Sequence, residues 1–195
     1  RAAGLKPAII VVSTIRTPAP ANIPVTCWSA TNPASASEID RNATQALYRL
    51  YATTPGAKAL ADKSKAILIF PNIVKGGFIV GGQYGEGALI QNGKTVGFYN
   101  TVAASYGLQA GLQKFGYALF FLTEDALKWI DKSDGWEIGV GPTIVVADVG
   151  AAGALTSTTA QSDVYAFFFD QKGLMGGLGL QGTKITRLDK ALPVE

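Results

Sequence analysis

Most hydrophobic positions in this chain repeat with period two. From Lys75 to Gly87 the sequence reads KGGFIVGGQYGEG, with Gly77, Gly81, Gly85 and Gly87 on one parity and Phe78, Val80 and Tyr84 on the other. Side chains of a strand point alternately to its two faces, so this pattern predicts a strand with one nearly bare face. Thr101–Gln113 alternates in the same way, with Ser105, Gly107, Gln109, Gly111 and Gln113 set against Tyr106, Leu108, Ala110 and Leu112. Continuous apolar runs predict buried strands at Lys65–Phe70, closed by Pro71-Asn72, and at Phe115–Leu122. Further strands are expected at Trp136–Ala147, Val164–Phe169 and Leu174–Arg187. Asn92-Gly93 is a type I′ hairpin signal, so Gly77–Gln91 should return antiparallel into Lys94–Asn100.

Recurrent glycine inside a strand marks a bend, a bulge or a close backbone approach. Here it favours a strongly curved sheet that closes or nearly closes. Lys172-Gly173-Leu174-Met175-Gly176-Gly177 echoes Lys75–Gly81, as the two ends of a closing barrel would. A glycine-rich phosphate loop is the competing reading. It requires a GKS/GKT ending or a GxGxxG opening a helix, and neither is present.

Two segments switch to helical spacing. Over Ser37–Ala52, Ile39, Ala43, Ala46, Leu47, Leu50 and Tyr51 fall on one side, with Ser37 as the cap and Glu38 and Asp40 in the first turn. A second short helix is expected over Ala57–Lys63. Thr123 should cap another, over Thr123–Lys132, with Ala126, Leu127 and Ile130 apolar, before Asp134-Gly135 turns the chain. The fold class is therefore α+β, mainly antiparallel β, in a barrel-like curved sheet with flanking helices. Residues 1–37, rich in Ala, Pro, Ser and Thr, read as a linker-like leader, and 38–190 as a single domain.

Composition narrows the chemistry. The 195 residues contain no histidine and one cysteine, Cys27. Ser-His-Asp and Cys-His catalysis, histidine metal sites and internal disulfides are excluded. The carboxylates are scattered. Asp134, Glu137 and Asp163 are the candidates for a hydrolase, but the first reads better as a turn residue and Asp163 as a strand start. A non-enzymatic protein without a cofactor is expected. The net charge of +3 permits attraction to an anionic membrane without a nucleic-acid stripe. No run approaches the roughly 18 apolar residues of a membrane span. Lys58, Lys63 and Lys65 are the densest group of cations, and Lys75 opens the glycine strand.

Several stretches taken together resemble the SYLF-domain family, in its bacterial lipoprotein-like branch. They are PGAKAL at Pro55–Leu60, KAILIFPNIVKGGF at Lys65–Phe78, GGQYGEGAL at Gly81–Leu89, DGWEIGVGP at Asp134–Pro142 and DVYAFFFDQKGLMGGLGLQG at Asp163–Gly182. The resemblance implies a lipid-binding module. Eukaryotic members are associated with phosphoinositides, membrane remodelling and, in some fungal proteins, actin, and bacterial members are typically exported. It implies a lipid-facing role for Lys58, Lys63, Lys65 and Lys75, an anionic lipid or membrane surface as partner, and a place in the bacterial cell envelope, periplasm or outer membrane. Cys27, followed by small polar residues, is the candidate for lipidation, although Pro24-Val25-Thr26 departs from a lipobox. The first helix is less basic than the amphipathic segment of some eukaryotic members. A structural or protein-interaction envelope lipoprotein is the alternative.

Overall fold

The computed structural model describes residues 34–132, 134–147, 162–173, 180 and 182–192, with the backbone alone at 78–80, 105–110 and 173. Cys27 and the Leu174–Gly177 part of the glycine echo lie outside the described residues. Helix α1 (Ala36–Thr53) buries Ile39, Ala43, Ala46, Leu47 and Leu50, as their spacing predicts. Its cap is Ser35 rather than Ser37, because the Ser35 side chain accepts from the Glu38 amide. Helix α2 (Pro55–Ala61) starts two residues earlier than expected. Proline at the first helical position sacrifices no intrahelical bond and presets the backbone.

Strands β1 (Ala66–Gln91) and β2 (Lys94–Phe121) form one long antiparallel ribbon. Its tip is Asn92-Gly93, with φ of 52° and 77°, as a type I′ turn requires. Pro71-Asn72 does not end the first strand. Pairing is interrupted between Phe70 and Ile73, so proline sits in a bulge where its missing N–H removes no ladder bond. A second irregularity makes an elbow: Gly77 faces Gly111 and Ile79 faces Gly107, so β2 advances four residues while β1 advances two. The other edge of β2 pairs antiparallel with β5 (Val164–Gly173) and β6 (Lys184–Leu188). Strand β3 (Trp136–Glu137) adds to β6, and β4 (Ile144–Ala147) runs parallel to β5. The single strand expected over Trp136–Ala147 is thus two. Between them Gly139 and Gly141 hold φ of 111° and 95°, which extended residues cannot adopt. Helix α3 (Glu124–Leu127) is capped by Thr123, which accepts from the Ala126 amide at 3.2 Å.

The sheet is mostly antiparallel and curls strongly into a half-barrel. Glycine makes the curl possible. A Cβ on Gly87 would lie 2.2 Å from the Ile69 carbonyl oxygen, and one on Gly85 would lie 2.7 Å from Ile73 Cγ1. The second half of β1 therefore passes directly against its own first half. Helix α1 packs on Ile67 and Ile69 from one half and Ala88 and Ile90 from the other. Leu68, Phe70, Tyr117, Phe168, Trp136 and Ile185 form a second core. The aromatic strand β5 serves both layers, with Phe168 inside and Phe167 and Phe169 under the helices.

Candidate functional site

The carboxylates act as cross-ties. Asp163 accepts from the Thr143 hydroxyl at 3.0 Å and the Thr123 hydroxyl at 3.4 Å, joining the starts of β4, β5 and α3. Asp131 accepts from the Tyr99 hydroxyl and from Arg187 Nη1, each at 2.9 Å. Glu86 accepts from the Ala34 amide at 3.1 Å and from the Tyr84 hydroxyl at 3.0 Å, and so fixes the approach to α1. Burial, with the neighbouring Glu86 charge, pushes the Tyr84 hydroxyl up to about 12. Asp134 and Glu137 are exposed. Among the described residues there is no group of three or more acidic, histidine or cysteine side chains able to hold a metal ion. No helix of the described residues is long and apolar enough to cross a membrane.

The four lysines singled out in the sequence fall in two places. Lys58 lies on the exposed side of α2, and Lys63 and Lys65 follow it, also exposed, just ahead of β1. Lys75 is ten positions further along the strand than Lys65, roughly 30 Å of extended chain. It is half-buried and stands opposite Gln113. The register gives it other neighbours: Val74 faces Lys114, Lys114 faces Lys172, and Gln113 faces Gly173. Lys75, Lys114 and Lys172 thus form a transverse row across β1, β2 and β5. Directly opposed residues share a face, so Lys114 and Lys172 project together, whereas Lys75 points to the other side.

Lys114 and Lys172 are exposed and have no ion-pair partner among the described residues. Asp170, the acidic residue closest to Lys172 along β5, is held by Arg49 at 3.1 Å. Like charges set directly across an antiparallel pair destabilise it. Beyond this row a long part of the ribbon carries no charge, since residues 76–85 of β1 and 95–113 of β2 contain no Asp, Glu, Lys or Arg; Glu86 and Lys94 lie nearer its tip. Leu112 shares the face of Lys114 and is 60% exposed, and Val102, at the far side of the elbow, is 45% exposed. Gly76 stands opposite Leu112 and supplies no side chain to cover it.

Sequence reasoning missed Lys114 and Lys172. A signal was present in the repeated Lys-Gly of Lys75-Gly76 and Lys172-Gly173. In the fold these two dipeptides flank Gln113-Lys114 on either side of β2.

Residues 102–191 match the family model Ysc84, described as Las17-binding protein actin regulator. This is the SYLF family, and the matched part of the chain is similar to it. The matched span runs from the first third of β2 through β6 and contains Lys114 and Lys172. No curated protein matches the chain.

Proposed function

We propose that this chain, similar to the SYLF domain, is a non-catalytic module that docks on anionic lipid through the opposed Lys114 and Lys172 at the base of the elbow. The observation carrying the reading is the direct opposition of Lys114 and Lys172 on an exposed face beside Leu112. Two facing ammonium groups repel one another in solution. An anionic head group between them turns that repulsion into attraction. Each lysine near an anionic leaflet contributes about 1 kcal/mol, so the pair supports weak, salt-sensitive attachment. Lys58, Lys63 and Lys65 form a second cationic group able to add to it. The resemblance to the bacterial branch supports a setting in the cell envelope, with Cys27 as the lipid-bearing tether.

The test is co-sedimentation with phosphatidylcholine vesicles with and without phosphatidylserine, over a range of salt. Binding to the anionic vesicles alone, falling with salt and falling again on Lys114→Glu and Lys172→Glu, is the expected result. Equal retention on both vesicle types overturns the reading. The match to an actin-regulator family favours a second reading, a protein-interaction module, which salt-independent capture of a protein partner with no retention on any vesicle would support.

A further inference from the structure

We infer that the face of the β1–β2 elbow carrying Leu112 and Lys114 enters the head-group layer of the membrane, with Leu112 and Val102 as its apolar contacts and Lys114 and Lys172 held at the phosphates. The inference rests on the anionic-lipid reading and adds to it a mode of contact. Three observations converge on this face. Leu112 and Val102 are exposed although the sheet offers two apolar layers in which such side chains are otherwise buried. The ribbon between them contains no charged residue to oppose desolvation. The exposed lysine pair begins two positions from Leu112 on the same side, roughly 7 Å along the strand. Apolar residues rimmed by cations on one face suit an anionic bilayer surface, where lysine stems lie along the apolar region and their heads stay at the phosphates.

The same geometry limits the depth. At the elbow the edge of β1 away from β2 carries no ladder partner among the described residues. Backbone N–H and C=O groups without partners are not tolerated in the hydrocarbon core. The elbow therefore stops at the head-group level, where water and lipid esters satisfy them.

The experiment uses the full chain with Cys27→Ser, which removes its one cysteine. An environment-sensitive NBD label is attached through Leu112→Cys or, as a comparison, through Val140→Cys, an exposed apolar position on the turn after β3. Mixed phosphatidylcholine and phosphatidylserine vesicles are added, with binding followed by sedimentation in the same samples. The expected result is a blue-shifted rise in emission at position 112 that lipids brominated high on the acyl chain quench, with little change at position 140. Sedimentation with unchanged emission at 112 overturns insertion and leaves the lipid reading standing. Absence of sedimentation overturns both. Because a label alters the surface, unlabelled Leu112→Asp provides a second measurement. Its partition should fall roughly ten-fold, as expected for losing about half the burial of a leucine. Partition equal to that of the unmodified chain contradicts the inference.

Discussion

Gly87→Ala is the sharpest perturbation of the fold. The added Cβ would stand 2.2 Å from the Ile69 carbonyl oxygen and 2.6 Å from Phe70 Cδ1. Ordinary contact begins near 3.4 Å, so the separation must grow by more than 1 Å. The first obstacle is backbone, which cannot rotate away, and the second is a ring in the fully buried core. Overpacking of this kind costs about 1–3 kcal/mol, and the fixed obstacle places Gly87→Ala near 3. That is a large part of a typical 5–15 kcal/mol total. Two comparisons isolate the cause. Gly93→Ala meets no atom within 4 Å but holds φ of 77°, so it should lose about 1 kcal/mol through backbone strain alone. Gly76→Ala approaches only the flexible end of Leu112, at 3.3 Å, and should be nearly neutral. Urea unfolding should show the midpoint falling in the order Gly87, Gly93, Gly76, with the denaturant slope unchanged. A Gly87→Ala midpoint equal to that of the unmodified chain would refute the claim that β1 crosses itself at this point.

Other expectations follow from single contacts. Thr101→Val removes the 2.7 Å bond to the fully buried Tyr117 hydroxyl and should cost about 1–3 kcal/mol, and Tyr117→Phe added to it should recover part of that loss in a double-mutant cycle. Burial raises the tyrosines: Tyr51, with Asp62 and Tyr48 nearby, and Tyr84, beside Glu86, each go to about 12, and Tyr99 and Tyr117 also stand above the ordinary value. The unfolded chain ionises near the ordinary value of 10 while the folded chain still holds these protons. Stability is therefore complete below pH 10 and should decline between pH 10 and 12, which urea midpoints at a series of pH values would show. Lys114→Thr relieves the repulsion from Lys172 and should stabilise the fold by about 0.2–1 kcal/mol while weakening vesicle binding about five-fold, a pairing of effects that a purely structural lysine would not give.

Local signals in the sequence translated directly into structure. Asn92-Gly93 specified its hairpin, and the apolar positions of α1 specified its buried stripe, because both depend on the nearest residues. Glycine parity pointed correctly to curvature and close backbone approach, since a missing Cβ has few other uses in a strand. Proline misled: read as a stop at Pro71, it occupies a bulge inside a 26-residue strand, a choice made by pairing with a partner some 45 residues away. Trp136–Ala147 looked continuous because its glycines were read as strand positions, whereas Gly141 packs under the Trp129 ring in a turn. The candidate site was only partly legible. Lys58, Lys63 and Lys65 are neighbours in sequence and remain so in space. Lys75 points to the other face, and the pairing of Lys114 with Lys172 exists only once β2 and β5 take their register.

The central claim is that the opposed lysines are a docking device. Its most direct measurement is the partition of the unmodified chain and of the Lys114→Thr/Lys172→Thr double variant onto vesicles containing phosphatidylserine at low salt. Two lysines at about 1 kcal/mol each predict a loss of roughly 30-fold, with the fold intact by circular dichroism. Equal partition of the two proteins would contradict the account.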